Sequence, residues 1–205
     1  MGGRAPRVAA LVLAGGRSRR MRGANKLLSK FDRRPIITRV VEAALAARCA
    51  PVLVVTGHQR ARVEGALAGY PVSWVHNPCF AAGLGASLAA GARALPEDVD
   101  ALLVCLADMP LIRAAHIEGL IDAFDPAAER AICVPVHGGR RGHPVLFSRR
   151  FLAELGALDG DRGARSLLTR HAHLVREVEA DDDGVLIDID SPEALDRLRA
   201  RRFPG

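Results

Sequence analysis

The sequence predicts an α/β fold, a doubly wound and mostly parallel but mixed sheet with helices on both faces. Two observations carry this. Short apolar runs, as expected of strands buried on both sides, alternate along the chain with amphipathic or alanine-rich segments of helical period. Glycine-rich or acidic segments directly follow three of those runs, where ligands sit in open α/β sheets. The chain has 205 residues, 49% hydrophobic and 25% charged. That is ample for a sizeable core, and one domain over 1–205 is expected.

Taken in order, the first strand is read at 8–13 and stops at Ala14-Gly15-Gly16. Further strands are read at 52–56, 72–76, 102–107, 132–136, 145–147, 174–178 and 185–187. Helices are expected at 36–47, 59–67, 84–95, 114–124 and 164–170. A last helix is expected to start with Ser191 as N-cap, Pro192 at the first helical position and Glu193 next. The closer spacing of the later strands predicts an antiparallel insertion in the sheet.

Charge is unevenly spread. The net charge is +6, yet residues 1–40 hold eleven Lys/Arg against the single acid Asp32. Acids gather at Glu177, Glu179, Asp181–Asp183, Asp188, Asp190 and Glu193. With 4% aromatics there is little to stack bases on, so a small polyanion fits better than nucleic acid. No apolar run reaches the roughly 18–20 residues of a membrane span. There is no signal-peptide pattern either, and a cytoplasmic location is expected. Cys49, Cys79, Cys105 and Cys133 lack metal-ligand spacing; Cys105 and Cys133 read as small buried residues and Cys79 as a loop residue.

The segment after the first strand carries the strongest chemical signal. Gly15 and Gly16 allow close backbone approach to a ligand. Arg17, Arg19, Arg20, Arg22 and Lys26 then supply cations suited to phosphate. The pattern is neither a P-loop nor a dinucleotide fingerprint; it reads as a triphosphate cradle. Only two lysines exist, Lys26 and Lys30. Lys26 is expected to place a compact charge at the site and Lys30 to be solvated.

Asp108-Met109-Pro110 ends an apolar run, a good position for a carboxylate holding Mg²⁺. In Asp188-Ile189-Asp190 only one carboxylate is expected to point into a given site. Asp190, nearer the strand end, is the choice, with Asp188 assigned to a loop. Asn77 is a candidate hydrogen-bond partner for a base or ribose. The segment from Gly83 to Ser87 leads into a helix start able to receive an anion. The stretch His137-Gly138-Gly139-Arg140-Arg141-Gly142-His143-Pro144 carries more chemistry than a simple hairpin needs, so a second anionic-ligand site is expected there. No nucleophilic triad or cysteine–histidine pair stands out. That fits a reaction whose substrate brings its own nucleophile.

At these residues the chain resembles the MobA-like nucleotidyltransferases, most closely the molybdenum cofactor cytidylyltransferase branch. The matching pieces are Leu13-Ala14-Gly15-Gly16 with Arg20-Met21 and Lys26, Asn77-Pro78 with Gly83 and Ser87-Leu88, and Ala107-Asp108-Met109-Pro110. Gly142-His143-Pro144-Val145-Leu146-Phe147, Gly160-Asp161-Arg162-Gly163-Ala164-Arg165 and Asp188-Ile189-Asp190-Ser191-Pro192 complete the series. Two departures stand out. Arg22 replaces the glycine usual after Arg-Met, with Gly23 one place later. Gly15, where cytidylyltransferases usually have alanine, matches the guanylyltransferase branch, and its missing Cβ would leave room for a base.

The resemblance implies a Rossmann-like three-layer α/β/α fold of the glycosyltransferase-A type and Mg²⁺-dependent transfer of a nucleoside monophosphate. CTP is favoured over GTP as donor, and the acceptor implied is a phosphorylated pterin, molybdopterin bearing molybdenum. Pyrophosphate is released, and a molybdoenzyme would receive the product. Leu13, Ala14, Gly15, Gly16, Asn77, Gly83 and Ser87 are then expected to bind the nucleotide. Arg20 and Lys26 would neutralise the triphosphate, Asp108 and Asp190 hold the metal, and Gly142, His143 and Pro144 position the acceptor. No nucleic-acid or membrane partner is expected. The rival readings are a GTP-using enzyme and a non-catalytic nucleotide-binding accessory protein of a molybdoenzyme.

Overall fold

A computed structural model describes residues 4–18, 20–21, 24–160 and 163–202. Arg19, Arg22, Gly23, Asp161 and Arg162, named above, lie outside the described residues. The chain opens with strand β1 (Val8–Ala14), then a hairpin of β2 (Lys30–Phe31) and β3 (Arg34–Pro35), helix α1 (Ile36–Ala46), β4 (Val52–Thr56), α2 (Arg60–Ala66) and β5 (Ser73–His76). Next come α3 (Leu84–Arg93), β6 (Ala101–Leu106), α4 (Ala114–Ala123), β7 (Ile132–His137), β8 (Arg140–Arg141) and β9 (Val145–Ser148). The chain ends with α5 (Leu152–Gly156), α6 (Arg165–Arg170), β10 (Val175–Glu179) and α7 (Pro192–Arg202).

The main sheet runs β10-β7-β9-β6-β1-β4-β5, with β8 beside β7. β1 is parallel to both β4 and β6, and β4 to β5. β9 lies antiparallel between β6 and β7. This is the mixed, mostly parallel sheet expected, and β9 is the antiparallel insertion.

All seven residues of β1 are buried, because both faces are covered. Ala10, Val12 and Ala14 pack with Ile37, Val40, Val41 and Ala44 of α1. Leu11 and Leu13 face the other way, onto Leu88 and Ala92 of α3. Gly91 sits where α3 approaches β1 most closely; a Cβ there would run into the Leu11 side chain. Chain order reverses at β1, with β4 on one side and β6 on the other. The carboxyl ends of β1 and β6 therefore flank a topological switch point, where open sheets bind ligands.

Most expected elements appear within one or two residues of their bounds, and Ser191 caps α7 by accepting from the Ala194 N–H at 3.2 Å. Three readings need correction. Residues 185–187 are not a sheet strand. Asp182 caps a 3₁₀ turn over Asp183–Leu186 by accepting from Gly184 N–H at 2.8 Å, so the apolar residues coil inward. The Gly138-Gly139 turn, with φ of 56° and 74°, joins β7 to β8 as a two-residue hairpin. Two of its polar side chains are used structurally: Arg141 pairs with Glu177 at 2.6 Å, and the His137 ring bonds the Ala180 carbonyl at 2.9 Å. Finally, α5 was not anticipated, because one turn of helix is too short to show a period.

Candidate active site

The loop leaving β1 is folded on itself by polar contacts. Ser18, at φ 51°, accepts the Lys26 N–H on its Oγ at 3.1 Å, while its carbonyl accepts the Met21 N–H at 2.9 Å. Asn25, buried, caps the 3₁₀ turn Lys26–Leu28 by accepting the Leu27 N–H at 3.0 Å. These contacts aim Lys26 back over the sheet. Its Nζ lies 2.5 Å from Asp108 Oδ2 and 2.7 Å from Asp190 Oδ1. Arg20 reaches the other oxygen of Asp190 at 3.0 Å.

Four distant segments thus meet in one cleft of about 490 Å³. Leu13, Gly15, Gly16, Arg20, Lys26, Gly83, Ser87, Asp108 and Asp190 line it, nine of the residues expected there. Asp108 follows the end of β6, and its carbonyl accepts the Ile189 N–H at 2.9 Å. That bond ties the 188–190 segment to the sheet.

Burial opposes the Lys26 ammonium, but the Asp108 and Asp190 carboxylates outweigh it and hold its pKa above the ordinary value. The Lys26 hydrogen bond, against burial and aided by Arg20, keeps Asp190 below the usual carboxylate range. Asp188 is shifted up, first by burial and then by the negative charges of Asp190 and Asp108.

Asp188 corrects the sequence reading. Asp108, Asp188 and Asp190 each bring a carboxylate oxygen within 4.8 Å of the other two. Residues two apart share a face of extended chain. Ile189 between them points away, fully buried with Phe31, Ile36, Leu195 and Leu198. Both flanking carboxylates are left near Asp108, Asp190 lining the cleft and Asp188 lining the adjoining pocket with Leu186, Ile187 and Ala194. Three oxygen donors of this kind suit a hard divalent cation such as Mg²⁺.

Other expected residues are sited differently. Asn77 is 4% exposed, and its amide is used internally, accepting from Cys79 N–H and donating to Ser87. It supports the wall without forming it. Ala14 is buried against α1 and contributes no side-chain surface to the cleft. Gly142, His143 and Pro144 do not line the cleft. They run beneath the 183–186 turn, where His143 N–H donates to the Val185 carbonyl at 2.9 Å and a Gly142 Cβ would collide with it. His143 still feels Asp108: burial lowers its pKa and the Asp108 charge opposes that.

Gly15 also has a role other than widening the floor. A Cβ there would lie 3.1 Å from Ser87 Oγ and 3.6 Å from Phe80 Cβ, so its absence lets α3 close against the β1 loop.

Sequence reasoning missed Phe80 and Leu84 as lining residues, while Arg17, read among the phosphate cations, lines the cleft with them. The Arg17 guanidinium stands 5.7 Å from the Phe80 ring centroid, and Leu84 is 42% exposed. An exposed leucine opening a helix was a usable signal for Leu84. Nothing local marked Phe80.

A glycine turn, cations and carboxylates gathered at the switch point of a parallel sheet define the class of NTP-using transferases. The MobA-like NTP transferase domain matches residues 10–175, and the chain belongs to that family. It is 33% identical over 205 residues to the purine catabolism protein PucB of Bacillus subtilis, a match spanning 96% of this chain and 98% of that one. It is 28% identical over 199 residues to the nicotine blue oxidoreductase of Paenarthrobacter nicotinovorans, over 94% and 97% of the two chains. Among solved structures, Rv0371c of Mycobacterium tuberculosis in complex with manganese superposes with a TM-score of 0.76 at 25% identity. That match covers 94% of this chain and 97% of the other. Asp188 and Asp190 lie beyond the matched family domain.

Proposed function

We propose that residues 1–205 act as one nucleotidyltransferase domain, moving a nucleoside monophosphate from an NTP to a phosphorylated pterin with release of pyrophosphate. CMP is the favoured group, molybdopterin bearing molybdenum the favoured acceptor, and the cytoplasm the favoured location. The observation that carries this reading is the meeting of Lys26 and Arg20 with Asp108 and Asp190 beside the Gly15-Gly16 turn.

In this reading the turn and Ser18 wrap the triphosphate, while Arg20 and Lys26 offset its charge and that of the departing pyrophosphate. An oxygen of the acceptor phosphate forms the new bond to the α-phosphorus as the bond to the β-phosphate oxygen breaks. No protein nucleophile is needed, and the chain supplies position and charge. Asp108 and Asp190, joined by Asp188, would hold Mg²⁺, which when bound supplies charge neutralisation on the phosphates. The oxygen-only donor set and the manganese complex of a structural neighbour support that fit. His143, beneath the 183–186 turn, acts on the acceptor through that turn, since it does not reach the cleft wall.

The test is pyrophosphate release screened over the four NTPs with a panel of phosphorylated acceptors. Release with CTP and a molybdopterin-type acceptor supports the reading; release with GTP alone transfers it to the guanylyl alternative. Neither PucB nor nicotine blue oxidoreductase is named for nucleotidyl transfer, which keeps a second reading in play: a nucleotide-binding accessory of a molybdoenzyme. Tight NTP binding without pyrophosphate from any acceptor would favour that second reading.

A further inference from the structure

Two distant segments carry the three clustered carboxylates, Asp108 on one and Asp188 with Asp190 on the other. Where they meet, the Ile189 N–H donates to the Asp108 carbonyl at 2.9 Å. Lys26 bridges Asp108 and Asp190 as well, but its ammonium and a cation on the same oxygens disfavour one another. Once the ammonium gives way, the Ile189–Asp108 bond by itself would let the two segments pivot about it.

A second tie lies further along both segments. His116, in the first turn of α4, is 6% exposed and takes no part in the cleft. Its Nδ1 accepts the Arg113 backbone N–H at 3.3 Å, so that nitrogen carries no proton. The proton therefore sits on Nε2, which faces Asp182 Oδ1 at 3.3 Å and Arg113 Nη2 at 3.1 Å. Arginine only donates, so the Nε2–H goes to Asp182. Burial lowers the His116 pKa against the pull of Asp182, which favours this neutral form. Arg113 holds the other oxygen of Asp182 at 2.8 Å. Asp182 Oδ1 also accepts the Gly184 N–H, the bond that caps the 183–186 turn. A Cβ on Gly184 would lie 2.8 Å from the Leu111 carbonyl, so the turn seats directly on the segment that follows Asp108. The Arg201–Asp183 pair differs in kind. It joins the same turn to α7, which continues the 188–190 segment, and so it spans one segment and not two.

We propose that Arg113, His116 and Asp182 are positioning residues whose clasp fixes Asp188 and Asp190 against Asp108, and so sets how tightly the three carboxylates hold a divalent cation. The inference rests on the metal-dependent transferase reading and goes beyond it, since none of the three residues lines the cleft. Groups that orient metal ligands from behind typically change metal affinity about 10- to 100-fold when removed. This clasp acts through the backbone, so the lower end of that span applies.

The experiment is Mn²⁺ binding to the full chain, read by electron paramagnetic resonance, with the Tm of each variant measured alongside. His116→Leu keeps apolar bulk and removes the donor, and should weaken Mn²⁺ binding about 10-fold. Asp182→Asn should act in the same direction. An amide has one acceptor oxygen where the carboxylate has two, so whichever way it turns, its NH₂ meets a donor. His116→Gln, whose amide NH₂ can take the place of Nε2–H, should bind Mn²⁺ close to the wild-type level. Arg201→Met should leave Mn²⁺ affinity unchanged whatever it does to Tm, a contrast that a merely structural role for the clasp would not give. Wild-type Mn²⁺ affinity in both His116→Leu and Asp182→Asn overturns the inference and leaves the transferase reading standing, as does equal weakening by Arg201→Met. Failure of the wild-type protein to bind Mn²⁺, with CTP or without it, overturns the metal reading and the inference together.

Discussion

Lys26 shows how much one side chain's surroundings decide. Its ammonium bridges two carboxylates that also belong to the donor set for a divalent cation. Like charges cannot share those oxygens without repulsion, so an ammonium in place and a bound cation disfavour one another. Lys26→Met should therefore raise the affinity of the nucleotide-free protein for Mn²⁺, read by electron paramagnetic resonance, while weakening triphosphate binding. Lys30→Ala should leave both unchanged, since Lys30 is exposed on β2 and contributes its carbonyl, not its charge, to Arg199 at 2.7 Å. Weaker Mn²⁺ binding by Lys26→Met would contradict this account.

Asp188 gives a second expectation at the same scale. Burial and its carboxylate neighbours raise its pKa, so the folded state binds its proton more tightly than the unfolded chain does. Stability on this account rises as pH falls from above the folded pKa toward the ordinary value of 3.8. Asp188→Asn should raise the Tm at pH 7, and the gain should disappear below about pH 4. A constant Tm difference across that range would count against the assignment.

At the scale of elements, the close contact of α3 with β1 sets the cleft wall. Gly91→Ala, which drives a methyl into Leu11, should cost about 1–3 kcal/mol in chemical unfolding. Gly65→Ala, on the exposed face of α2 with nothing within 4 Å, should instead stabilise by up to about 1 kcal/mol. Equal effects would mean that helix propensity and not packing decides. The main strands were legible from sequence because strands buried on both sides read as apolar runs, and β1, β4 and β6 did so without interruption. The 183–186 turn was not legible. Its apolar residues look like a strand, and only the Asp182 cap, with Gly184 tucked beneath the Leu111 carbonyl, shows otherwise. In the 137–144 stretch, His137 and Arg141 find partners at Ala180 and at Glu177 of β10, which sequence distance conceals, while Arg140 stays exposed.

Across the whole molecule, the charge asymmetry of the sequence is resolved inside the fold. The basic N-terminal loop meets the acidic C-terminal segment at Arg20–Asp190 and Lys26–Asp190, while Arg113 and Arg201 take Asp182 and Asp183. Much of the charge polarity therefore builds the site and straps the 182–190 segment to the core. No described helix is long and apolar enough to cross a membrane. The gathering of Leu13–Gly16, Lys26, Asp108 and Asp190 could be anticipated from strand ends alone, because a parallel sheet brings its carboxyl ends to one edge. The contribution of Asp188 and the retreat of Asn77 and the 142–144 loop from the cleft depend on side-chain directions that no spacing rule supplies.

The proposed transfer carries the α-phosphate of a bound NTP to the acceptor beside Asp108. It is tested most directly by following CTP labelled on that phosphate in the presence of Mg²⁺ and a molybdopterin-type acceptor. The label should appear on the acceptor with one pyrophosphate released per transfer. Asp108→Asn, still folded by circular dichroism, should slow transfer by at least about 10²- to 10³-fold, as expected for removing a main charge-stabilising group. Label that stays in CTP or leaves as free CMP, or transfer by Asp108→Asn at the normal rate, would contradict the account.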